Sequence, residues 1–514
     1  MLRELKKLIE DEKKETIKEI LLQNEKEEGM VETVGEPEED HLYIVKTPLQ
    51  LEREDTVGLV IDDEIINLGF VLGNYDQYTY LVYPTQKQYI NGSHILVKSE
   101  SLISYDLQLN ILDKLEERDD PTIKEIKTLL FKNKTLPHFT VKSKTYPHLD
   151  EFQEEVVNCA LSLDKGELLL VVGPPGTGKT RIISTIAREI TDKVLITSHT
   201  NRAVDEAIER LPPERSVRVA FPSKSGLKEH LLELKVYDVV GDRLRELDSE
   251  INKCLAKKDY YGAKEYYAER RKVYEEVCEK IISETPIVGA TLIKSWLPPL
   301  LKFKFDYVLV DEASQITIPL ALLGLLKAKR YVLLGDHRQL PPVLKSVRSS
   351  ENYSVFNHLK KKYPHRVKWL KKHYRSNIEI AKLLKMFYEE EIIPANICKN
   401  INLELEWLKP PIVFIHVPNA EESKDENKSK FNVPEAKVCV SLVEKLIDCG
   451  VSEKDIAVIS PYRAQVELLK EYFKAKKLAV DVGTVDSFQG CERDVVVFSV
   501  TASKISRLSL TKTD

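Results

Sequence analysis

The chain has 514 residues, 42% hydrophobic and 31% charged, which supplies apolar material for several cores and excludes a wholly disordered polymer. At ~100–200 residues per domain, the length predicts three or four domains or sub-domains. No stretch approaches the ~18 apolar residues of a membrane span, and the charged start MLRELKKLIEDEKK lacks the apolar block of a signal peptide, so the expected protein is cytoplasmic with no membrane partner.

The net charge of −5 is unevenly spread. Residues 1–40 carry seven basic and fourteen acidic side chains, a balance of −7 that leaves +2 for the other 474. A polyanionic partner would therefore have to be met by local patches. The seven cysteines include no C-x-x-C pair and no zinc-type Cys/His spacing, and they read as buried thiols of a reducing compartment.

In chain order, Leu2, Leu5, Leu8, Ile9, Ile17, Ile20 and Leu21 recur at roughly helical spacing. An acidic Gly/Pro-bearing stretch follows, so 1–40 reads as a helix plus linker. From 41 to 105, short β-type runs (LYIVKT, GLVIDDE, INLGFVLG, YTYLVYP, HILVKS) separated by Gly, Asn and Asp predict a small antiparallel barrel. Residues 106–145 return to helix, broken at Pro121, and then to linker. Helix, barrel and returning helix form one unit, a barrel held on a helical stalk.

Beyond Leu149 strands and helices alternate, the signature of a parallel α/β sheet. The strands ELLLVV, KVLITS, SVRVAF, PIVGAT, DYVLVD and RYVLLGD place a first domain at 146–344. A proline-free insertion, 223–285, interrupts it. Leu244, Leu247, Ile251 and Leu255 mark one helix and Val273, Val277 and Ile281 another, a hairpin turning near Gly262 whose tyrosines (260, 261, 266, 267, 274) read as packing. A second α/β set, 345–514, contains VKWL, PIVFIHV, DIAVISP, VDVGTV and DVVVFSV but no phosphate loop. Two sheets with one such loop suggest two domains facing a shared nucleotide.

The chemistry begins where the strand ELLLVV enters Gly173-Pro174-Pro175-Gly176-Thr177-Gly178-Lys179-Thr180 and then a helix. The G-x-x-x-x-G-K-[ST] form needs glycines so that backbone N–H groups turn onto phosphate oxygens, and the helix N-terminus adds its dipole. Lys179 would reach the β- and γ-phosphates and Thr180 would ligate Mg²⁺. Asp311-Glu312 ends the apolar run YVLV at the sheet edge where nucleotides sit. Asp311 fits the Mg²⁺ partner and Glu312 the base for an attacking water, although an acidic strand-to-helix cap looks the same in isolation. A third strand ends in GDHRQLPPV, where Gln339 could sense the γ-phosphate through its amide.

GPPGTGKT, DEAS, GDHRQLPPV, HYRSN (373–377), SPYRAQV (460–466) and VGTVDSFQGCERDVVVFSVT (482–501), in this order, resemble the motifs of superfamily 1 helicases. The branch they resemble most is that of the up-frameshift, senataxin and immunoglobulin-mu-binding proteins. The resemblance covers about 146–501 and implies an α/β fold of two tandem RecA-like parallel-sheet domains, with the N-terminal barrel and the helical hairpin as insertions. It implies an ATP hydrolase that uses ATP and Mg²⁺ to move along single-stranded RNA or DNA, 5′→3′, as a monomer. It also implies further roles. Gln153 resembles the residue that reads adenine, Tyr374 the ring packed on it, Arg375 an arginine finger from the second domain, and Glu492 a carboxylate near the ribose. The nucleic-acid track would comprise Ser198, His199, Thr200, Asn201, Thr291, Ser460, Pro461, Tyr462, Arg463 and Thr484, any of which could equally be a cap or a turn. Asn432-Val433-Pro434-Glu435 reads first as a helix start.

The family continues to an A-L-T-R-A segment bearing a second arginine finger, whereas this chain ends at Asp514. Ser509-Leu510-Thr511-Lys512 echoes the segment faintly and offers Lys, which does not replace a guanidinium fork. The expectation is that ATP and nucleic acid bind while turnover is impaired. The competing readings are a ribonucleoprotein remodeller that does not unwind and a hydrolysis-poor clamp.

Overall fold

The structure, a computed structural model, describes residues 1–23, 26–38, 41–53, 55–85, 87–99, 102–118, 120–132, 134–141, 143–220, 225–403, 405, 407–418, 420–488 and 490–502. The Ser509–Lys512 echo lies outside them, as does position 489 of the VDSFQG string.

The helical repeat at the N-terminus forms α1 (Leu2–Gln23), which buries Leu5, Leu8, Ile9, Ile17 and Ile20. Strands β1 (Glu27–Val34), β2 (Leu42–Lys46), β3 (Thr56–Ile61), β4 (Glu64–Asn74), β5 (Thr79–Pro84) and β6 (Gly92–Lys98) close an antiparallel barrel in the order β1-β2-β5-β4-β3-β6. Closure leaves no strand edge unpaired. The barrel begins earlier than expected, because 27–34 is a strand and not linker. In EEGMVETV, Glu28, Met30 and Glu32 are exposed while Gly29 and Val31 between them are buried, so surface charge conceals a period of two.

Helices α2 (Leu102–Glu117) and α3 (Pro121–Phe131) break at Pro121, with Asp120 capping the second through the Ile123 N–H. Lys6 pairs with Asp113 and Lys13 with Asp106, so α2 runs antiparallel to α1.

The first α/β layer then runs α4 (Glu151–Leu161), β7 (Leu168–Val172), α5 (Lys179–Glu189), β8 (Val194–Thr197), α6 (Asn201–Ile208), β9 (Ser216–Arg218), α7 (Leu232–Ala256), α8 (Tyr260–Glu284), β10 (Ile287–Gly289), β11 (Tyr307–Val310), α9 (Ile318–Leu325), β12 (Arg330–Gly335), α10 (Val355–Lys362) and β13 (Val367–Trp369). Seven parallel strands in the order β13-β7-β12-β11-β8-β10-β9 form a RecA-like α/β sheet. Alternate residues of β7 feed opposite faces: Leu168, Leu170 and Val172 join one core, Leu169 and Val171 the other. A strand covered on both faces has to be apolar throughout, which explains the run LLLVV.

Strand β13 is a second correction. VKWL was expected in the second sheet but pairs with β7, Val367 opposite Leu170. Helices α7 and α8 form the expected hairpin, turning at 257–259, before Gly262, because Asp259 caps α8 through the Gly262 N–H. The hairpin packs Ile251, Leu255 and Ala263 against Val34, Leu42, Ile44 and Leu81 on the barrel exterior. Tyr260, Tyr266 and Tyr267 join that cluster and Tyr274 the sheet core, whereas Tyr261 is exposed.

Short strands β14 (Lys372–His373) and β15 (Ile393–Pro394) pair with each other, and α11 (Ile378–Leu383) lies between them in sequence. The chain divides into two compact units, Met1–Ser376 with Leu384–Cys398, and Asn377–Leu383 with Lys399 onward. The division therefore falls later than the expected residue 345, since β13 and the HYRS residues are bound to the first unit.

The second unit contains a two-stranded ribbon, β16 (Ser423–Lys424) with β17 (Lys430–Phe431), then α12 (Val433–Asp448), β18 (Ile456–Ile459), α13 (Arg463–Ala475), β19 (Asp481–Gly483) and β20 (Val495–Phe498). Its sheet is parallel in the order β19-β18-β20. Asn432 caps α12 through the Glu435 N–H with proline in the first turn, as the sequence predicts. PIVFIHV forms no strand, and Phe414 is 84% exposed. A β-prone run becomes a strand only when a neighbour completes its ladder.

Cys159, Cys278, Cys398 and Cys439 are buried, but Cys449 is exposed, contrary to expectation. Among the described residues no helix is long and apolar enough to cross a membrane.

Candidate functional site

Strand β7 ends at Val172, and the chain turns through Gly173–Gly178 into α5. Gly176 and Gly178 sit at φ 74° and 88°, the left-handed region that glycine occupies without steric cost. The loop is tightened by Thr177, whose hydroxyl donates to Pro174 O at 2.7 Å. The Lys179 ammonium folds back onto Gly173 O at 2.7 Å. Thr180 follows it in the first turn of α5.

Beside the loop, β11 delivers the acidic pair. Asp311 is buried and its carboxylate accepts the Glu312 N–H at 2.8 Å. Burial and the neighbouring Glu312 charge push this carboxyl above the ordinary carboxylate range, against the pull of Lys179. Glu312 has φ 51°, a strained conformation for a residue with a Cβ, and it accepts from Gln315 Nε2 at 3.2 Å. At the end of β12, Gln339 Nε2 donates to Asp336 Oδ2 at 3.0 Å. The β12 end abuts the loop, with Gly173 N donating to Gly335 O at 3.0 Å.

Tyr374 and Arg375 belong to the first unit, which corrects their expected origin in the second. Two hydrogen bonds fasten them there: His373 Nδ1 to Pro175 O at 2.7 Å and Tyr374 N to Gly176 O at 2.8 Å. Because Ser376 N donates to His373 Nε2, the imidazole is neutral with its proton on Nδ1. Burial holds His373 below its ordinary range, and Arg375 adds to this. A Cβ on Gly176 would lie 2.5 Å from the His373 ring and 2.6 Å from Arg375 Cβ.

Gln153 is buried, its Nε2 on Thr177 O at 3.2 Å and its Oε1 in a capping box with Asp150. Asp150 also accepts the Tyr374 hydroxyl at 2.5 Å. Sequence reasoning missed Asp150 and His373 as organisers of the loop. The D-x-x-Q spacing of a capping box was the available signal for the first.

The other expected positions divide by unit. At the end of β8, the side-chain polar atoms Thr197 Oγ1, Ser198 Oγ and His199 Nδ1 are buried without a hydrogen-bond partner. Thr200 caps α6 through the Ala203 N–H, and Asn201 Oδ1 accepts from the buried Arg218. Thr291 Oγ1 accepts the Lys294 N–H. In the second unit, Ser460 is buried against Thr501, Tyr462 lies under the Lys430 ammonium, Thr484 O accepts from Ser487, and Pro461 and Arg463 lead into α13. Glu492 is exposed.

A strand–loop–helix turn on left-handed glycines, beside a buried aspartate and a strained glutamate, defines a protein of the phosphate-loop class. Comparison with known proteins agrees. Two models described as AAA domain match residues 148–261 with 245–347, and 351–512. An uncharacterized ATP-dependent helicase of Methanocaldococcus jannaschii is 29% identical over 436 residues, covering 70% of this chain and 64% of that protein. The DNA polymerase alpha-associated DNA helicase A of Schizosaccharomyces pombe is 30% identical, with 69% and 59% covered. The regulator of nonsense transcripts 1 of Dictyostelium discoideum is 30% identical, with 70% and 29% covered. The chain belongs to the superfamily 1 helicases, in their up-frameshift-like branch. It spans less than two thirds of the length of each of these relatives.

Proposed function

We propose that this chain is an ATP-dependent motor that hydrolyses ATP to ADP and phosphate while moving along single-stranded RNA or DNA, 5′→3′. The observation that carries the reading is the buried Asp311 and strained Glu312 facing the phosphate loop. Conformational strain of this kind persists where surrounding structure enforces it, and it concentrates at functional sites.

In this reading, backbone N–H groups of Gly173–Thr180 and the Lys179 ammonium hold the β- and γ-phosphates, with Tyr374 and Gln153 at the adenine end. Glu312 accepts the proton of the water that attacks the γ-phosphorus, and the bond to the β-phosphate oxygen breaks. Arg375, beside the loop, offsets charge on the transferring group. Thr180 and Asp311 would hold Mg²⁺. A cation fits there because it relieves the penalty that raises the Asp311 carboxyl, and when bound it would neutralise charge on the phosphate oxygens.

The nucleic-acid role of Ser198, His199, Thr200, Asn201 and Thr291 is supported by the unpartnered Ser198 and His199 atoms, since buried polar groups normally find partners. Ser460, Pro461, Tyr462, Arg463 and Thr484 are assigned to the same track, and Glu492 to the ribose, by family likeness. The barrel on its α1–α2 support and the two parallel-sheet units are read as a helicase with tandem RecA-like domains, 146–344 carrying the nucleotide.

The test is the rate of phosphate release with no polymer, with single-stranded RNA and with single-stranded DNA. Stimulation of at least tenfold by one polymer is expected, together with loss of turnover in Lys179→Ala. A wild-type rate that neither polymer raises would remove the motor reading.

A further inference from the structure

The turn after β12 is held by two side chains that lie in none of the motifs. Having passed through α11 in the second unit, the chain rejoins the first at Leu384, and four and five residues later presents Tyr388 and Glu389. Asp336, fully buried, is the hub of the turn: Oδ1 accepts the Arg338 N–H at 3.0 Å, and Oδ2 accepts both Gln339 Nε2 at 3.0 Å and the Tyr388 hydroxyl at 2.6 Å. Glu389 grips the next two residues, accepting from His337 Nε2 at 2.9 Å and from Arg338 Nη2 at 3.0 Å, with Lys360 Nζ at 3.8 Å. The His337 ring meets Trp369 and Tyr388 edge-on at 5.6 and 6.4 Å. Three consecutive residues of the turn, 336–338, are thus clamped by two consecutive residues of a distant segment.

We propose that Tyr388 and Glu389 are positioning residues that hold Gln339 in one orientation for the γ-phosphate; the inference rests on the ATP-hydrolysis reading above. Carboxylate oxygen Oδ2 of Asp336 offers two lone pairs, and the Tyr388 hydroxyl occupies one of them. The Gln339 amide is then confined to the other, which fixes where its own carbonyl oxygen points. Without the hydroxyl, Asp336 can rotate and the amide loses its reference. Glu389 prevents the same slack at the backbone by anchoring both His337 and Arg338. Burial favours the protonated, donating form of Tyr388. Although burial opposes it, the Glu389 carboxyl is held down at about 2 by its hydrogen bonds, including the one from His337, and by the charge of Lys360, so the clamp is set throughout the neutral range. A group that orients a transition-state contact affects kcat more than KM.

The experiment is a steady-state ATPase comparison of Tyr388→Phe and Glu389→Gln, alone and in a Gln339→Ala background, with saturating single-stranded nucleic acid. Each single variant is expected to lower kcat about tenfold with KM for ATP within twofold of wild type. In the Gln339→Ala background each should cost less than a further twofold, because the residue being positioned is already gone. Tyr388→Phe removes one oxygen atom and retains the ring, so it tests the hydroxyl with folding preserved. A second readout needs no turnover: amide hydrogen exchange of residues 335–340 should quicken in both variants while that of α5 does not change. Unchanged kcat and exchange, or losses that multiply fully with Gln339→Ala, would overturn the clamp. Wild-type protein that fails to hydrolyse ATP would sink the enzymatic reading instead, and the exchange experiment would still decide whether the turn is held as described.

Discussion

At the scale of single residues, the glycine loop after β7 is organised by close approach. Gly176 lies so near His373 and Arg375 that no side chain fits, and its φ of 74° adds strain to any replacement. Gly176→Ala should therefore disrupt the loop, weakening nucleotide affinity by about 2 kcal/mol, roughly 30-fold. Titration with a fluorescent ATP analogue would show it; unchanged affinity would mean that loop and HYRS segment are not packed together. Glu312→Gln preserves shape and removes the proposed base. It should retain that analogue's affinity within about threefold while slowing hydrolysis by about 10²–10⁴-fold, as single-turnover phosphate release would show. If the variant still turned over at the wild-type rate, the base would have to lie elsewhere.

At the scale of elements, the barrel is held by more than its own ladder. Leu255 and Ile251, near the tip of the α7–α8 hairpin, pack on Leu42, Ile44 and Leu81 of the barrel exterior. A buried Leu→Ala change loses transfer energy and leaves a cavity, ~2–5 kcal/mol in a full core, and the lower end suits a contact between elements. Leu255→Ala is expected to lower the local opening energy of β2 and β5 by about 2 kcal/mol, seen as roughly 30-fold faster amide exchange there. Exchange that quickened only in α7 would mean that the hairpin does not brace the barrel. The same scale shows why three strands departed from expectation. β1 was obscured by glutamates that face solvent. β13 joined the sheet containing β7 because register is a long-range pairing, Val367 with Leu170, that no window around residue 367 records. PIVFIHV had the composition of a strand and no described partner.

At the scale of the whole molecule, buried histidines set the response to acid. His199, His230, His337 and His373 are each pushed below the ordinary 6.5, chiefly by burial. The unfolded chain therefore binds more protons than the folded one as pH falls below about 6.5. Stability present above that value is lost on acidification. Asp311 acts in the opposite sense, since its raised carboxyl takes up a proton more readily in the folded protein, but it is one group against four. The melting temperature should fall between pH 7.5 and 5.5, and the quadruple His→Gln variant should show a shallower fall. A melting temperature that rose on acidification would contradict the burial of these rings.

The sequence by itself determined the local structure: the glycine turn from β7 into α5, the acidic pair at the end of β11, the Asn432 cap and the existence of barrel and hairpin. Each of these is written in contiguous residues whose types suffice, such as glycines for left-handed turns or an apolar run for a strand covered on both faces. Tertiary structure alone decided which sheet β13 would join, that Tyr374 and Arg375 would be fastened to the loop of the first unit, and that Tyr388 and Glu389 would grip the turn at Asp336. Those outcomes depend on hydrogen bonds between residues tens to hundreds of positions apart, where a side chain's partner is fixed by how the backbone folds and leaves no periodicity or motif in the chain itself.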